Sequence, residues 1–194
     1  MDVRRVEKTV LSVEQSEGVG ARVRRSIGRK ELRNLDPFLM LDEFRVSKPA
    51  GFPDHPHRGF ETSKVNTRTP TLYLDFKMQT DALHVQPVPS GWTTFIYTLS
   101  GSIHVGPDEE QQKVEPHHTV VFADGDCVKV QNKGSEVSHF VLIAGEPIKE
   151  PVVQHGPFVM TTEEEITQAI KDYQTGRNGF ERAVNWRSKI RDAF

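Results

Sequence analysis

Between Thr71 and Ala144 turn-forming clusters interrupt the chain at short intervals. They are Pro89-Ser90-Gly91, Ser100-Gly101, Gly106-Pro107-Asp108, Asp124-Gly125-Asp126 and Asn132-Lys133-Gly134, with Gly145-Glu146-Pro147 closing the series. This punctuation favours short strands. The stretches between the turns are rich in β-branched and aromatic residues: Thr71 to Phe76, Thr93 to Leu99, Ser102 to Val105, Lys113 to Glu115, Thr119 to Phe122, Cys127 to Gln131 and Val137 to Ala144. Many short strands with regular turns are the sequence form of a β-barrel or sandwich.

The flanks differ. Val3 to Val23 reads as two short strands around Ser16-Glu17-Gly18-Val19-Gly20, where the two glycines permit backbone angles that other residues resist. Arg22-Val23-Arg24-Arg25 reads as a solvated strand edge, with a basic partner surface or localisation signal as the alternative. Leu35 to Phe44 has the length of one buried strand, and Gly51 to Thr62, with its prolines and glycines, reads as a turn entering a strand. At the other end Thr162 and Glu165 match a capping box. Ile166, Ala169, Ile170 and Tyr173 then recur at helical spacing up to Gly176. A further helical turn is expected over Gly179 to Arg187, with Phe180, Ala183 and Trp186 on one side as packing residues.

A chain of 194 residues fits one large domain, or one complete domain with a fragment. Its net charge of -2 offers no general attraction to phosphates, so direct DNA binding is not expected. The single cysteine, Cys127, cannot form an internal disulfide, and the first residues lack the apolar run of a signal peptide; a reducing compartment is the expectation. Cys127 follows Asp124 and Asp126, which oppose thiolate formation and argue against a nucleophile. No apolar stretch approaches the ~20 residues that cross a bilayer as a helix.

His55 and His57 flank Pro56, and positions two apart on a strand share a face. Two imidazoles on one face can share a metal, and iron oxygenases of the facial-triad kind use two histidines and a carboxylate. The spacing alone leaves two readings: a metal pair, or a surface turn with two ordinary histidines. Glu61 falls in the same strand phase and adds a carboxylate, unless a bulge near Gly59 shifts it. His117 and His118 are adjacent, so in a strand they face opposite sides, and His84, His104, His139 and His155 stand alone in sequence.

Three stretches carry a family resemblance: Ser16 to Val23, Leu35-Asp36-Pro37-Phe38, and above all Gly51-Phe52-Pro53-Asp54-His55-Pro56-His57-Arg58-Gly59-Phe60-Glu61-Thr62. They resemble the opening of the pirin family, built from two cupin β-barrels. Thr67 to Phe76, Glu115-Pro116-His117-His118, Gly145-Glu146-Pro147 and Gln154 to Met160 are similar to that family's second barrel and tail. The resemblance implies a mainly β, cupin-type fold with a C-terminal helix. It also implies a mononuclear iron in the N-terminal barrel and a place in both nucleus and cytoplasm. The implied role is coregulation of NF-kappa-B transcription, with NF-kappa-B-type factors and their coactivators as partners. It further implies quercetin 2,3-dioxygenase activity.

By motif, His55 and His57 match the first two iron ligands. The family draws its other two, a His and a Glu, from a later segment of the same barrel, which is absent here: after Phe60-Glu61-Thr62 the chain passes directly to Ser63-Lys64-Val65. The expected organisation is therefore a partial N-terminal cupin fragment at 1–62, a C-terminal cupin barrel at 63–160 and a helical tail at 161–194. Iron should be weakly bound or absent, and the dioxygenase activity and a shortened product without function stand as alternatives to the coregulator role.

Overall fold

Residues 1–18, 20–45, 55–59, 69–183 and 185–187 are described by a computed structural model of the chain. Among them the elements run β1 (Val6–Leu11), β2 (Val13–Glu17), β3 (Ala21–Ile27), β4 (Leu41–Arg45), β5 (Thr71–Met78), β6 (Leu83–Pro87) and β7 (Thr93–Ser100). There follow β8 (Ile103–Val105), β9 (Gln112–Val114), β10 (His118–Phe122), β11 (Cys127–Gln131), β12 (Ser138–Gly145), β13 (Val153–His155), β14 (Phe158–Met160) and α1 (Glu163–Thr175). The seven strands expected from the turn pattern are all present, with ends shifted by a residue or two.

Two units divide the chain. The first takes in Met1–Gln15, Arg22–Phe44 and Thr69–Ile148. It is built from a five-stranded sheet, ordered β1-β10-β7-β12-β5, and a four-stranded sheet, ordered β6-β11-β8-β9. Alternation along the strands decides what each face meets. Ile96, Val120, Phe140, Leu142 and Ala144 point into a core shared with Ile103, Val105, Val128 and Val130 of the smaller sheet. Their sequence neighbours Phe95, Tyr97, Val121, Val141 and Ile143 point outward, where Val10, Ile27, Leu32, Leu35, Phe38 and Leu41 cover them. β7 and β12 are buried on both faces, which is why they read as near-continuous apolar runs.

The connection from β7 in the larger sheet to β8 in the smaller one turns at Gly101, whose φ is +64°; a Cβ there would lie 2.8 Å from the Val137 carbonyl oxygen. Only glycine satisfies both the angle and the space.

Several expectations are corrected. The N-terminal segment makes three strands, β1 to β3, rather than two. β1 pairs antiparallel with β10, with Thr9 opposite Val120 and Leu11 opposite His118. The arginine-rich β3 lies between β2 and β4, so it is not an edge. Its charge is met locally instead: Arg25 Nε and Nη2 each donate to the Asp42 carboxylate at 2.8 Å, and Arg22 pairs with Glu14. Leu35 to Phe44 is not one strand: Leu35 and Phe38 bond each other in a tight turn containing Pro37, and the strand begins at Leu41. The expected boundary at 62 and 63 lies outside the described residues.

The second unit, Ser16–Ala21, Arg45–Arg68 and Lys149–Phe194, holds the β13–β14 hairpin and α1. The capping box forms as expected. Glu165 N–H donates to Thr162 Oγ1 at 3.2 Å, Thr162 N–H donates to Glu165 Oε2 at 3.2 Å, and Gly176 ends the helix in the left-handed conformation. Ile166 and Ala169 bury one face of α1 against Phe158 and Phe180. Among the described residues of the expected helical turn over Gly179 to Arg187 there is no helix. Asn178, two residues beyond the helix cap, has φ +51°, and the residues after it make turns such as Ala183 N–H to Phe180 O at 2.9 Å. Phe180 is buried as expected, but Trp186 is exposed.

Candidate metal centre

His55 and His57 lie in a short segment of the second unit that has no regular secondary structure, rather than in a strand. Pro56 holds the backbone between them at a fixed φ. Their rings approach edge to face, with centroids 4.5 Å apart and planes inclined by 66°. Burial, and then the neighbouring His55 ring, pull the His57 imidazole below its ordinary value. That favours the neutral form, the one that ligates metals. The structure therefore brings together the two histidines that the spacing singled out.

Two imidazoles fall short of the three or four protein donors that a mononuclear iron centre draws from several elements. Among the described residues no group of three His, Cys, Asp or Glu side chains is placed to hold a metal. Glu61, the carboxylate in phase with the pair, lies outside the described residues. The described donors thus do not complete an iron site.

The other histidines have separate surroundings. His117 Nδ1 bonds Glu43 Oε2 at 2.9 Å, and His118 Nδ1 lies near the carbonyls of Glu115 and Pro116. His139 Nε2 bonds Asp75 Oδ1 at 2.6 Å, His84 Nε2 lies 3.2 Å from Gln86 Oε1, and His155 is exposed. Cys127 is fully buried, which agrees with an inert thiol.

Two polar constellations had no sequence signal because their members are distant in the chain. In the first unit, Glu43 Oε2 accepts from Tyr97 Oη at 2.5 Å as well as from His117, and Tyr97 Oη lies 2.9 Å from Ser12 Oγ. Burial and the Glu43 carboxylate push the Tyr97 phenol well above the ordinary tyrosine range. In the second unit, Arg58, next in sequence to His57, donates from Nη1 to the buried Asp172 carboxylate at 2.8 Å.

Residues 73–179 match the pirin C-terminal cupin domain. The chain is 45% identical to human pirin over 284 aligned positions, covering 96% of this chain and 98% of that protein. It is 38% identical to a pirin-like protein of Solanum lycopersicum, covering 96% and 97%. The human alignment has more positions than this chain has residues, so that protein carries a stretch with no counterpart here.

Among solved structures, one of quercetin 2,3-dioxygenase from Acinetobacter baumannii superposes with a TM-score of 0.64 at 13% identity, covering 88% of this chain and 89% of that one. Another structure under the same enzyme name and organism gives 0.52 at 22% identity; it too covers 88% of this chain, which spans about half the length of that one, 47%. At such identities the superpositions speak to fold alone. The fold is mainly β and cupin-type with a C-terminal helix, and by its sequence the chain belongs to the pirin family.

Proposed function

We propose that this chain acts by binding proteins, as a pirin-type transcription coregulator. Its partners are then NF-kappa-B-type factors and their coactivators, met in the nucleus and cytoplasm. The observation that carries the reading is a mismatch within the molecule. The sequence belongs to the pirin family, yet among the described residues no group of three His, Cys, Asp or Glu side chains is placed to hold a metal. What such a chain retains is surface. Its net charge of -2 favours protein partners over direct contact with phosphates. Iron, the metal of the family resemblance, is then held weakly or not at all by His55 and His57.

The test is a pull-down of a purified Rel-family factor by this chain beside a two-barrel relative. Capture by both is expected; capture by the relative alone overturns the reading for this chain. A second reading, an iron-dependent quercetin 2,3-dioxygenase, is favoured by the name of the structural neighbours and opposed by the ligand count. Quercetin-dependent oxygen uptake that vanished in His57→Ala would establish it, and one tightly held iron per chain would remove the objection.

A further inference from the structure

Asn178 and Gly179 form the one Asn-Gly step of the sequence, and both are exposed just beyond the end of α1. An asparagine side chain can lose ammonia when the next backbone nitrogen attacks its amide carbon. Glycine in the following position favours this most, since it has no side chain to obstruct the approach.

In the fold both reacting groups are engaged. Asn178 Nδ2 donates to Asp172 Oδ1 at 2.9 Å, and Gly179 N–H donates to the two Glu181 carboxylate oxygens at 3.2 and 3.1 Å. Asp172 is 4% exposed; its Oδ1 also accepts from Gln168 Nε2 at 2.8 Å, and its Oδ2 accepts from Arg58 Nη1 at 2.8 Å. Arg58 returns to the same turn, where Nη2 donates to the Asn178 carbonyl and the guanidinium carbon stands 4.1 Å from the centroid of the Phe180 ring. Asn178 thus belongs to the cluster through its side chain and its backbone. A carboxylate in place of its amide would face the Asp172 carboxylate at hydrogen-bond distance with no proton between them, and two like charges in an enclosed site repel strongly.

We propose that Asn178 is a deamidation site whose conversion releases the turn after α1 in one direction only. The reaction starts when residues 177–181 come away briefly from Asp172, a local opening of the kind that exposed turns undergo. The Gly179 nitrogen then bonds to Asn178 Cγ, the Cγ–Nδ2 bond breaks, and ammonia leaves with the proton that Gly179 N–H gives up. Water opens the resulting five-membered imide at either carbonyl and leaves aspartate or isoaspartate at position 178. Water is consumed, ammonia is produced and nothing is oxidised or reduced. The product cannot resume its place against Asp172, because a donor has become a charged acceptor. An opening that was reversible becomes permanent, and it uncovers the Arg58 cation beside Phe180, a ring that is 7% exposed in the native chain.

The experiment incubates the full chain at neutral pH and follows residue 178 by peptide mass mapping with isoaspartate detection, beside a synthetic peptide of residues 174–182. The native chain converts more slowly than the peptide. Asp172→Ala, which removes the acceptor, converts at nearly the peptide's rate while the main melting transition persists. Asn178→Asp supplies the product directly and does not depend on that variant's folding. Its Val159 and Arg177 amides, bonded in the native chain to the Arg58 and Asp172 carbonyls, exchange about tenfold faster or more, with β7 and β12 unaffected. Conversion of the native chain as fast as the peptide overturns the hold by Asp172, as does an absence of conversion in both the native chain and Asp172→Ala. Native exchange rates in Asn178→Asp overturn the release.

Discussion

Arg4 offers the sharpest test of how the N-terminal segment is joined to the barrel. Its side chain is 1% exposed, and it donates to three backbone carbonyls: Pro89 at 2.8 Å, Trp92 at 3.0 Å and Ala123 at 3.1 Å. Burial pulls its guanidinium below the ordinary value, while Asp124 and Asp126 work in the opposite direction. Replacing it with alanine takes a charged donor from each carbonyl, and such bonds are worth ~1.5–3 kcal/mol apiece. Part of that is returned, because the mutant no longer desolvates a guanidinium. A net loss of about 2–4 kcal/mol follows, and for a chain of this length that lowers Tm by roughly 5–15 °C.

The ion pair contributes little to that loss. Asp124 is 61% exposed at 3.3 Å from Arg4, so solvent screens it. Asp124→Asn should therefore leave Tm nearly unchanged. The assay is urea unfolding followed by far-UV circular dichroism, with calorimetry for Tm. If Arg4→Ala cost under about 1 kcal/mol, or Asp124→Asn cost as much as Arg4→Ala, the carbonyl clamp would not be what fastens the segment.

The raised Tyr97 phenol has a definite sign in the pH dependence. A folded-state value above the unfolded one means stability is complete below pH ~10 and declines as pH rises beyond it; Tyr97→Phe should lack that decline in urea midpoints measured across the alkaline range. Thr162→Ala removes the hydroxyl that accepts from Glu165 N–H and should cost α1 about 1 kcal/mol, read as faster amide exchange in its first turn with the barrel unaffected.

The barrel was legible because strand period and turn chemistry are local. Cys127 to Gln131 was bounded to the residue by Asp126 before it and Asn132 after it, and the capping box by Thr162 and Glu165 alone. β6 was missed: Leu83-His84-Val85-Gln86-Pro87 alternates apolar and polar residues but is short and ends in proline, and in the fold its three interior positions are all half-buried. It is a strand because β11 pairs with it along its whole length. β3 misled for the converse reason, since arginines mark an edge in sequence but here are neutralised by Glu14 and Asp42 across the sheet. The His55–His57 pair was visible from spacing. The pairing of Arg58 with Asp172 was not, since the two lie 114 positions apart and nothing local connects them.

The covering of the outer sheet face explains how a chain shorter than its relatives' alignment still closes a barrel. Phe95, Tyr97, Val121, Val141 and Ile143 are each under 8% exposed, and much of what shields them comes from Val10, Ile27, Leu32, Leu35, Phe38 and Leu41. Each large apolar side chain left bare forfeits ~1.5–3 kcal/mol, so uncovering five approaches ~10 kcal/mol, an upper figure that is comparable with the ~5–15 kcal/mol total stability of an ordinary domain. Removing residues 1–45 would also take away β1, leaving one side of β10 without its strand, along with the Arg4 clamp. A fragment of residues 69–194 should therefore be insoluble or bind hydrophobic dyes without a cooperative melt. A soluble monomer of that fragment with the native transition would show that the N-terminal segment decorates a barrel already complete. Failure of the fragment beside success of the whole chain would show that the segment is built into the barrel itself.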